Sequence, residues 1–329
     1  MPKPLRIGLV GFGFGYFHAR SIANRTDATL VAVADRNNDS LPVAAEAMGF
    51  TVFRDAVEMI RSGTVDALVV ATSPSFRKPI VEAAVDVGLP MFVEKPWAGD
   101  PESARALAAI CDRSTVPVMV GFSFRFHPAI AKLRALDLGG PRMLCGQYVF
   151  DWLPDADNWM WSTGGGFLNE NSCHLFDAVC ALMGRPTRVF AEGGMFEGRP
   201  APDSAAITLR FENDAIAALT VGGIARGGVD FPRIDLHAEK GSATLLGQNH
   251  IWRELRYDLG DGEHRHVADP EQLGDTRYSH ALSHFFDCVR ENKQPDATVA
   301  DGVLAVDIAH AVTESARTGQ PVDIPKGTS

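Results

Sequence analysis

The sequence predicts an α/β protein of two unlike domains: a doubly wound parallel sheet first, then an α/β domain built on an open, mostly antiparallel sheet. Three observations predict it. Over the first third, short runs apolar on both faces alternate with helix-like stretches; after Phe122 the texture changes; and in the second half alternating strand-like runs follow one another directly. Strands buried on both faces and separated by helices make a parallel sheet, whereas successive strands joined by turns make an antiparallel one.

In chain order, strand candidates lie at 5–10, 30–34, 67–71, 91–93 and 117–121, with helix candidates at 40–48, 78–87 and 101–111. A long helical pattern over 164–183 precedes strand candidates at 188–193, 205–211, 215–221, 234–238 and 243–246. Helical stretches at 278–290 and 299–316 close the chain. The expected domains are therefore 1–122 and 123–329.

With 329 residues, 46% of them hydrophobic and 22% charged, the chain has ordinary globular composition and enough length for two cores. Setting 31 Lys+Arg against 41 Asp+Glu gives −10, which opposes nucleic acid and anionic membrane as partners. Five cysteines without a Cys-x-x-Cys pair indicate neither a disulfide framework nor a zinc knuckle. The apolar stretch after Arg6 is broken at once by glycines and does not have signal-peptide form, so a cytoplasmic protein is expected.

From Ile7 to Gly15 a strand runs straight into a glycine-rich turn, and His18 to Ala23 reads as a helix. Gly11, Gly13 and Gly15, with Phe12 and Phe14 between them, let the backbone approach a pyrophosphate at the helix N-terminus. In G-x-G-x-x-G spacing the third glycine falls at Tyr16, and Gly15 comes one residue early. A plain tight turn is the other reading. Asp35 ends the second strand, where an acidic residue hydrogen-bonds the adenosine ribose hydroxyls and repels a 2′-phosphate. NAD is thereby favoured over NADP, although Arg36 could accept the extra phosphate or stack on adenine. An ordinary strand-end turn residue is the alternative for Asp35.

Glu94-Lys95-Pro96 follows the strand at 91–93, at the carboxyl end of the sheet where open α/β folds bind ligands. Pro96 biases Lys95 to extended backbone, and a lysine beside a nicotinamide can relay a substrate proton. A solvated strand-end lysine is the bland reading. If 168–183 is one helix, Glu170 and His174 stand at i and i+4 and Asp177 follows at i+3, so three ionisable groups share one face. Phe176, Val179, Cys180 and Met183 form an apolar stripe on another. A carboxylate beside an imidazole sets its tautomer and suits it to accept a proton; a capped structural helix is the alternative. His280 and His284 also stand at i and i+4, but no third ligand accompanies them, so no metal site is expected.

The glycine turn ending in His18-Ala19, Glu94-Lys95-Pro96, Gly121 to Phe126, Gly164 through His174 and Asp177, and Thr313 to Val322 occur in this order over nearly the whole chain. In that arrangement the sequence resembles the Gfo/Idh/MocA oxidoreductases. The resemblance implies a Rossmann domain followed by an α/β domain whose open sheet forms a homo-oligomer interface, giving a dimer or tetramer. It implies pyridine-nucleotide-dependent oxidation or reduction of a sugar, polyol or related hydroxyl. Lys95 and His174 match the family's catalytic residues, Glu170 stands at its usual Asp, and Ser172 replaces a later glycine. Ser73-Pro74-Ser75 with Lys78 stands where Pro-Asn-x-x-His is commoner. The implied cofactor pocket thus takes in Thr72, Ser73, Pro74, Glu94 and Lys95, and family position adds Arg125 and Tyr278 as substrate candidates, with anchoring of a surface carboxylate the other reading of Arg125.

The expected reaction is hydride transfer between a hydroxyl-bearing ring carbon and nicotinamide, with His174, oriented by Glu170 and coupled to Lys95, accepting the hydroxyl proton. Trp152, Trp159 and Trp161 could offer apolar faces to a pyranose, with Asp151, Asp155, Asp157 and Asn158 as hydroxyl partners, and Asn171 is a further substrate candidate. Core or interface aromatics are an equal alternative. The acidic balance fits a neutral polyhydroxy substrate better than a phosphorylated one. Two rival functions belong to the same resemblance: glycoside cleavage through transient oxidation, and NAD sensing without turnover. Retention of Lys95, Glu170 and His174 argues against the second.

Overall fold

The structure is a computed structural model that describes residues 3–36, 39–227, 232–248, 251–267 and 276–327. The chain divides into two compact units, Met1–Ala98 with Glu102–Phe122 and Asp275–Val303, and Gly99–Pro101 with Ser123–Gly274 and Leu304–Ser329.

The first unit alternates β1 (Leu5–Val10), α1 (Gly15–Ala23), β2 (Ala28–Ala34), α2 (Leu41–Met48), β3 (Thr51–Phe53), α3 (Ala56–Arg61), β4 (Ala67–Val70), α4 (Arg77–Asp86), β5 (Met91–Val93), α5 (Pro101–Cys111) and β6 (Val118–Val120). Among the described residues these make a six-stranded sheet of order β3-β2-β1-β4-β5-β6, parallel throughout. Ile7, Leu9 and Val10 on β1 and all four residues of β4 are buried, as strands covered on both faces must be. The strand order reverses between β1 and β4, and ligands of such sheets bind beyond the strand ends at that reversal. The glycine turn after β1 and Thr72 after β4 both lie there.

In the second unit, α6 (Pro128–Arg134) leads to β7 (Pro141–Val149), followed by α7 (Trp159–Ser162), α8 (Gly166–Glu170) and α9 (Cys173–Met183). A strand series follows: β8 (Pro186–Gly194), β9 (Ser204–Phe211), β10 (Ile216–Gly222), β11 (Arg233–Ala238), β12 (Ser242–Gln248), β13 (Ile251–Asp258) and β14 (Glu263–Val267). After α10 (Thr276–Glu291) and α11 (Val299–Thr318), β15 (Val322–Asp323) completes a sheet of nine strands among the described residues, in order β14-β13-β12-β11-β7-β10-β9-β8-β15. Pairing is antiparallel except between β7 and β10. Alternation puts Leu144, Ile207, Leu209, Leu219, Ile234 and Leu236 into one core with Phe167, Leu175, Phe176 and Val179 of the helices. The opposite face carries Met143, Phe190 and Ile216, all exposed.

The sequence places 278–290 with the second domain, but α10 packs in the first unit. Its buried Ala281, Leu282, Phe285, Phe286 and Cys288 form one helical face. Phe285 meets Phe92 of β5 at 5.9 Å between ring centroids. Arg25 beyond α1 lies 5.1 Å from the Phe286 ring centre and donates to Ser283 Oγ at 2.8 Å. Arg290 donates to the Asp27 carbonyl at 2.7 Å.

Candidate active site

The glycine turn is built by close approach. Gly11 has φ +86°, and a Cβ there would stand 2.9 Å from the Ala71 carbonyl oxygen, so the position takes glycine alone. At Gly13 a Cβ would meet nothing within 4 Å. A Cβ on Gly15 would touch Leu9 Cδ1 at 3.1 Å and Ala71 Cβ at 3.4 Å. Gly15 therefore has the helix-against-strand role of a third fingerprint glycine, one residue earlier than the spacing predicts. Tyr16 is 43% exposed and packs edge-on against Phe12. The turn fits a nucleotide diphosphate: α1 begins with no side-chain cap and no acidic residue in its first turn, beside the open space at Gly13.

Asp35 follows β2, and its Oδ2 accepts from the Phe12 amide at 2.7 Å, fixing the carboxylate beside the glycine turn. Arg36 is exposed. After β4, Thr72 and Ser73 lead into a single helical turn, Pro74–Phe76. Lys78, singled out by the sequence, is exposed; its neighbour Arg77 is buried.

Glu94 is 3% exposed at the end of β5. One carboxylate oxygen lies 2.7 Å from His18 Nε2, and the other accepts from the Lys95 amide at 3.0 Å. His18, fully buried on α1, is flanked edge-on by Phe92 at 5.4 Å and by Tyr278 at 5.2 Å. Both residues stand inside motifs the sequence shows, the glycine turn ending in His18-Ala19 and Glu94-Lys95-Pro96, but their pairing was not legible there. Tyr278 also meets Phe14 at 5.5 Å. It thus belongs to the glycine turn's aromatic surround in the first unit, not to the second domain.

In the second unit the expected single helix over 164–183 is two helices, α8 and α9, broken at Asn171 and Ser172. Asn171 donates to the Phe167 carbonyl as in an α-helix, Ser172 reaches the same carbonyl in a wider i→i−5 bond, and His174 donates to that of Asn171 in a tighter i→i−3 bond, so the regular α ladder is interrupted between the two helices. Glu170 therefore ends one helix while His174 lies in the first turn of the next, and the shared face expected for Glu170, His174 and Asp177 is not formed on one helix. All of Glu170, Asn171 and His174 are half-buried. The His174 ring stacks on Phe124, 5.0 Å between centroids at 25°. Phe124 is itself wedged edge-on between Tyr148 and Trp252.

Arg125, read from the sequence as a substrate candidate or as the anchor of a carboxylate, is 5% exposed and bound by both side-chain oxygens of Asp177, a buried carboxylate, with Nε donating to Oδ2 at 3.0 Å and Nη2 to Oδ1. Adjacent residues thus hold α9 at two points a turn apart, by ring stacking at His174 and an ion pair at Asp177. The triple glycine lets the chain close up: a Cβ on Gly164 would be 2.7 Å from the Trp159 ring. Trp152 is 47% and Trp159 39% exposed, while Trp161 is half-buried and donates from Nε1 to the Asp155 carbonyl at 3.1 Å. His284 Nε2 accepts from the Asp296 amide at 3.0 Å. Among the described residues no three His, Cys, Asp or Glu side chains gather to hold a metal.

Strand order, glycine turn and Asp35 define a dinucleotide-binding α/β protein. Residues 5–122 match the Gfo/Idh/MocA oxidoreductase family, NAD-binding Rossmann fold, and residues 126–244 match a Gfo/Idh/MocA C-terminal domain. The chain belongs to this family and is an NAD-dependent oxidoreductase. It is 29% identical to the rhizopine catabolism protein MocA of Rhizobium meliloti over 94% of each chain. It is 28% identical to the inositol 2-dehydrogenase of the same species, covering 97% of this chain and 99% of that one. In fold it is similar to levoglucosan dehydrogenase in complex with NADH and L-sorbose, with TM-score 0.87 and 22% identity over 99% and 100% of the two chains.

Proposed function

We propose that the protein is a dehydrogenase that transfers a hydride between NAD and a ring hydroxyl of a sugar, glycoside or inositol-type polyol. One observation carries this reading: an NAD-binding family fold presents Lys95 at the end of β5, while a half-buried imidazole, His174, is held by ring stacking in the second unit. The relative named inositol 2-dehydrogenase supports the substrate class.

Gly11, Phe12, Gly13, Phe14 and Gly15 would hold the cofactor's diphosphate, Asp35 its ribose hydroxyls and Arg36 its adenine face, with Thr72, Ser73, Pro74 and Glu94 completing the pocket. Bound NAD supplies a hydride acceptor. His174 accepts the hydroxyl proton, Glu170 orients its ring, and Lys95 donates a hydrogen bond to the hydroxyl oxygen as negative charge grows there. Asn171, Trp152, Trp159 and Trp161 bind the sugar. Arg125, committed to Asp177, positions α9 instead of touching substrate, and Tyr278 supports the glycine turn.

In this reading residues 1–122 bind nucleotide and 123–329 select substrate and self-associate, with α10 the exception. The open sheet face, where Met143, Phe190 and Ile216 line a groove of about 280 Å³, supports a homo-oligomer; light scattering checks its mass. Among the described residues no helix is long and apolar enough to cross a membrane, which fits the cytoplasmic reading. The deciding experiment screens hexoses, inositols and glycosides with NAD and NADP for reduced-nucleotide absorbance and analyses the products. An intact keto product supports the dehydrogenase, a released aglycone without net NADH supports glycoside cleavage, and no reaction at all removes both. Lys95→Ala should retain NADH binding while abolishing turnover; loss of both makes Lys95 structural.

A further inference from the structure

We propose that Arg77 is the positioning residue of the Lys95 turn, an inference that rests on the reading of Lys95 as catalytic. Arg77 opens α4 and is 1% exposed. Burying a guanidinium costs several kcal/mol unless its donors are well matched, and here they meet a row of backbone carbonyls. Nη1 donates to the carbonyls of Pro96 and, at 3.2 Å, Trp97. Nη2 lies 2.8 Å from the Thr72 carbonyl oxygen and 3.5 Å from that of Lys95, and Nε reaches Thr72 at 3.2 Å.

The consequence falls on both peptide planes flanking Lys95. Glu94 Oε2 takes the Lys95 amide at 3.0 Å, which fixes the preceding plane; Arg77 takes the Lys95 carbonyl and the two after it, which fixes the following ones. With both planes held, the direction in which the Lys95 side chain leaves the backbone is set before any ligand arrives. The base of the turn is rigid as well, because Trp97 is fully buried and its Nε1 donates to the Ala104 carbonyl at 3.0 Å. Through Thr72, the same cation ties the segment after β4 to the segment after β5, so the two cofactor-pocket segments move as one. A lysine could supply the charge but not the planar fork that spans four carbonyls.

The test uses full-length Arg77→Lys and Arg77→Met, measuring kcat, KM, NADH affinity by fluorescence, melting temperature and the rate at which acetic anhydride acylates Lys95, read by mass spectrometry without nucleotide. Loosening the turn should raise Lys95 acylation relative to other lysines and lower kcat about 100-fold, the cost of misplacing a catalytic group by about 1 Å. KM and NADH affinity should change far less, and Arg77→Lys, still folded, should show most of the loss. Unchanged Lys95 acylation in both variants overturns the proposal, as does unfolding of both, which would make Arg77 a residue of the fold alone. Should the wild type oxidise no polyol, the reading of the site fails, while the acylation arm still decides whether Arg77 orders Lys95.

Discussion

Replacing Asp177 by leucine strands the Arg125 guanidinium, since the two side chains are 0% and 5% exposed. Removing one member of a buried ion pair costs about 3–5 kcal/mol, because the remaining charge keeps its desolvation penalty and loses its partner. Arg125→Met should cost a similar amount by stranding the carboxylate. The double variant replaces both charges with apolar groups of comparable volume, an exchange that is often near neutral. It should therefore fall well short of the roughly 6–10 kcal/mol that additivity of the singles demands. The four proteins are compared by denaturant midpoint and slope, with the exposed Lys240–Asp137 pair as control, where Lys240→Ala should leave the midpoint in place. Additive single effects would refute the reasoning, for the pair would then act as two independent side chains. The double variant has a second use: stable but without its grip on α9, it should still turn over more slowly if Arg125 positions His174.

Gly15→Val should force α1 from β1 and weaken NADH binding, whereas Tyr16→Gly, at the formal fingerprint position, should bind NADH as the wild type does; the reverse ranking by fluorescence titration would return the third-glycine role to position 16. Gly11→Ala, at φ +86° with its Cβ 2.9 Å from the Ala71 carbonyl oxygen, should cost more than the roughly 1–2 kcal/mol of left-handed strain, read as a lowered melting temperature together with weaker NADH binding. His18→Leu leaves the buried Glu94 side chain without its imidazole hydrogen-bond partner, so melting should show a loss of about 1–3 kcal/mol; wild-type stability would mean that the contact adds nothing to the fold. Burial pushes the His280 pKa below its ordinary 6.5. The unfolded chain then takes up that proton first, so stability present at neutral pH is lost as pH falls through 6.5 toward the folded value. His280→Asn should flatten that limb of the melting-temperature profile, and an unaltered limb counts against the argument.

How much of this was legible follows from what a one-dimensional pattern can carry. The parallel sheet showed itself because β4 and the stretch of β1 after Arg6 are buried on both faces and read as apolar runs. β14 did not, since all five of its residues are exposed and no face of it is apolar. The pairing of β7 with β10 is parallel and spans some 70 residues, so nothing local announces it. At the candidate site, the motifs named Lys95 and His174 but not what holds them. The apolar spacing across 164–183 runs on through Asn171 and Ser172, hiding a break that these two residue types do favour. Arg77 was passed over for a stronger reason. A buried arginine is sought beside a carboxylate, and this one faces carbonyls, which every residue possesses and no sequence pattern marks. The same holds for His18, whose partner Glu94 lies 76 positions away. Residues that would meet substrate or cofactor sit in short motifs because chemistry restricts their type, whereas the residues that aim them are restricted by three-dimensional fit. Substitutions at Arg77, His18 and Phe124 should therefore alter turnover in ways that the motifs, which contain His18 and Phe124 without showing what they hold, do not foretell.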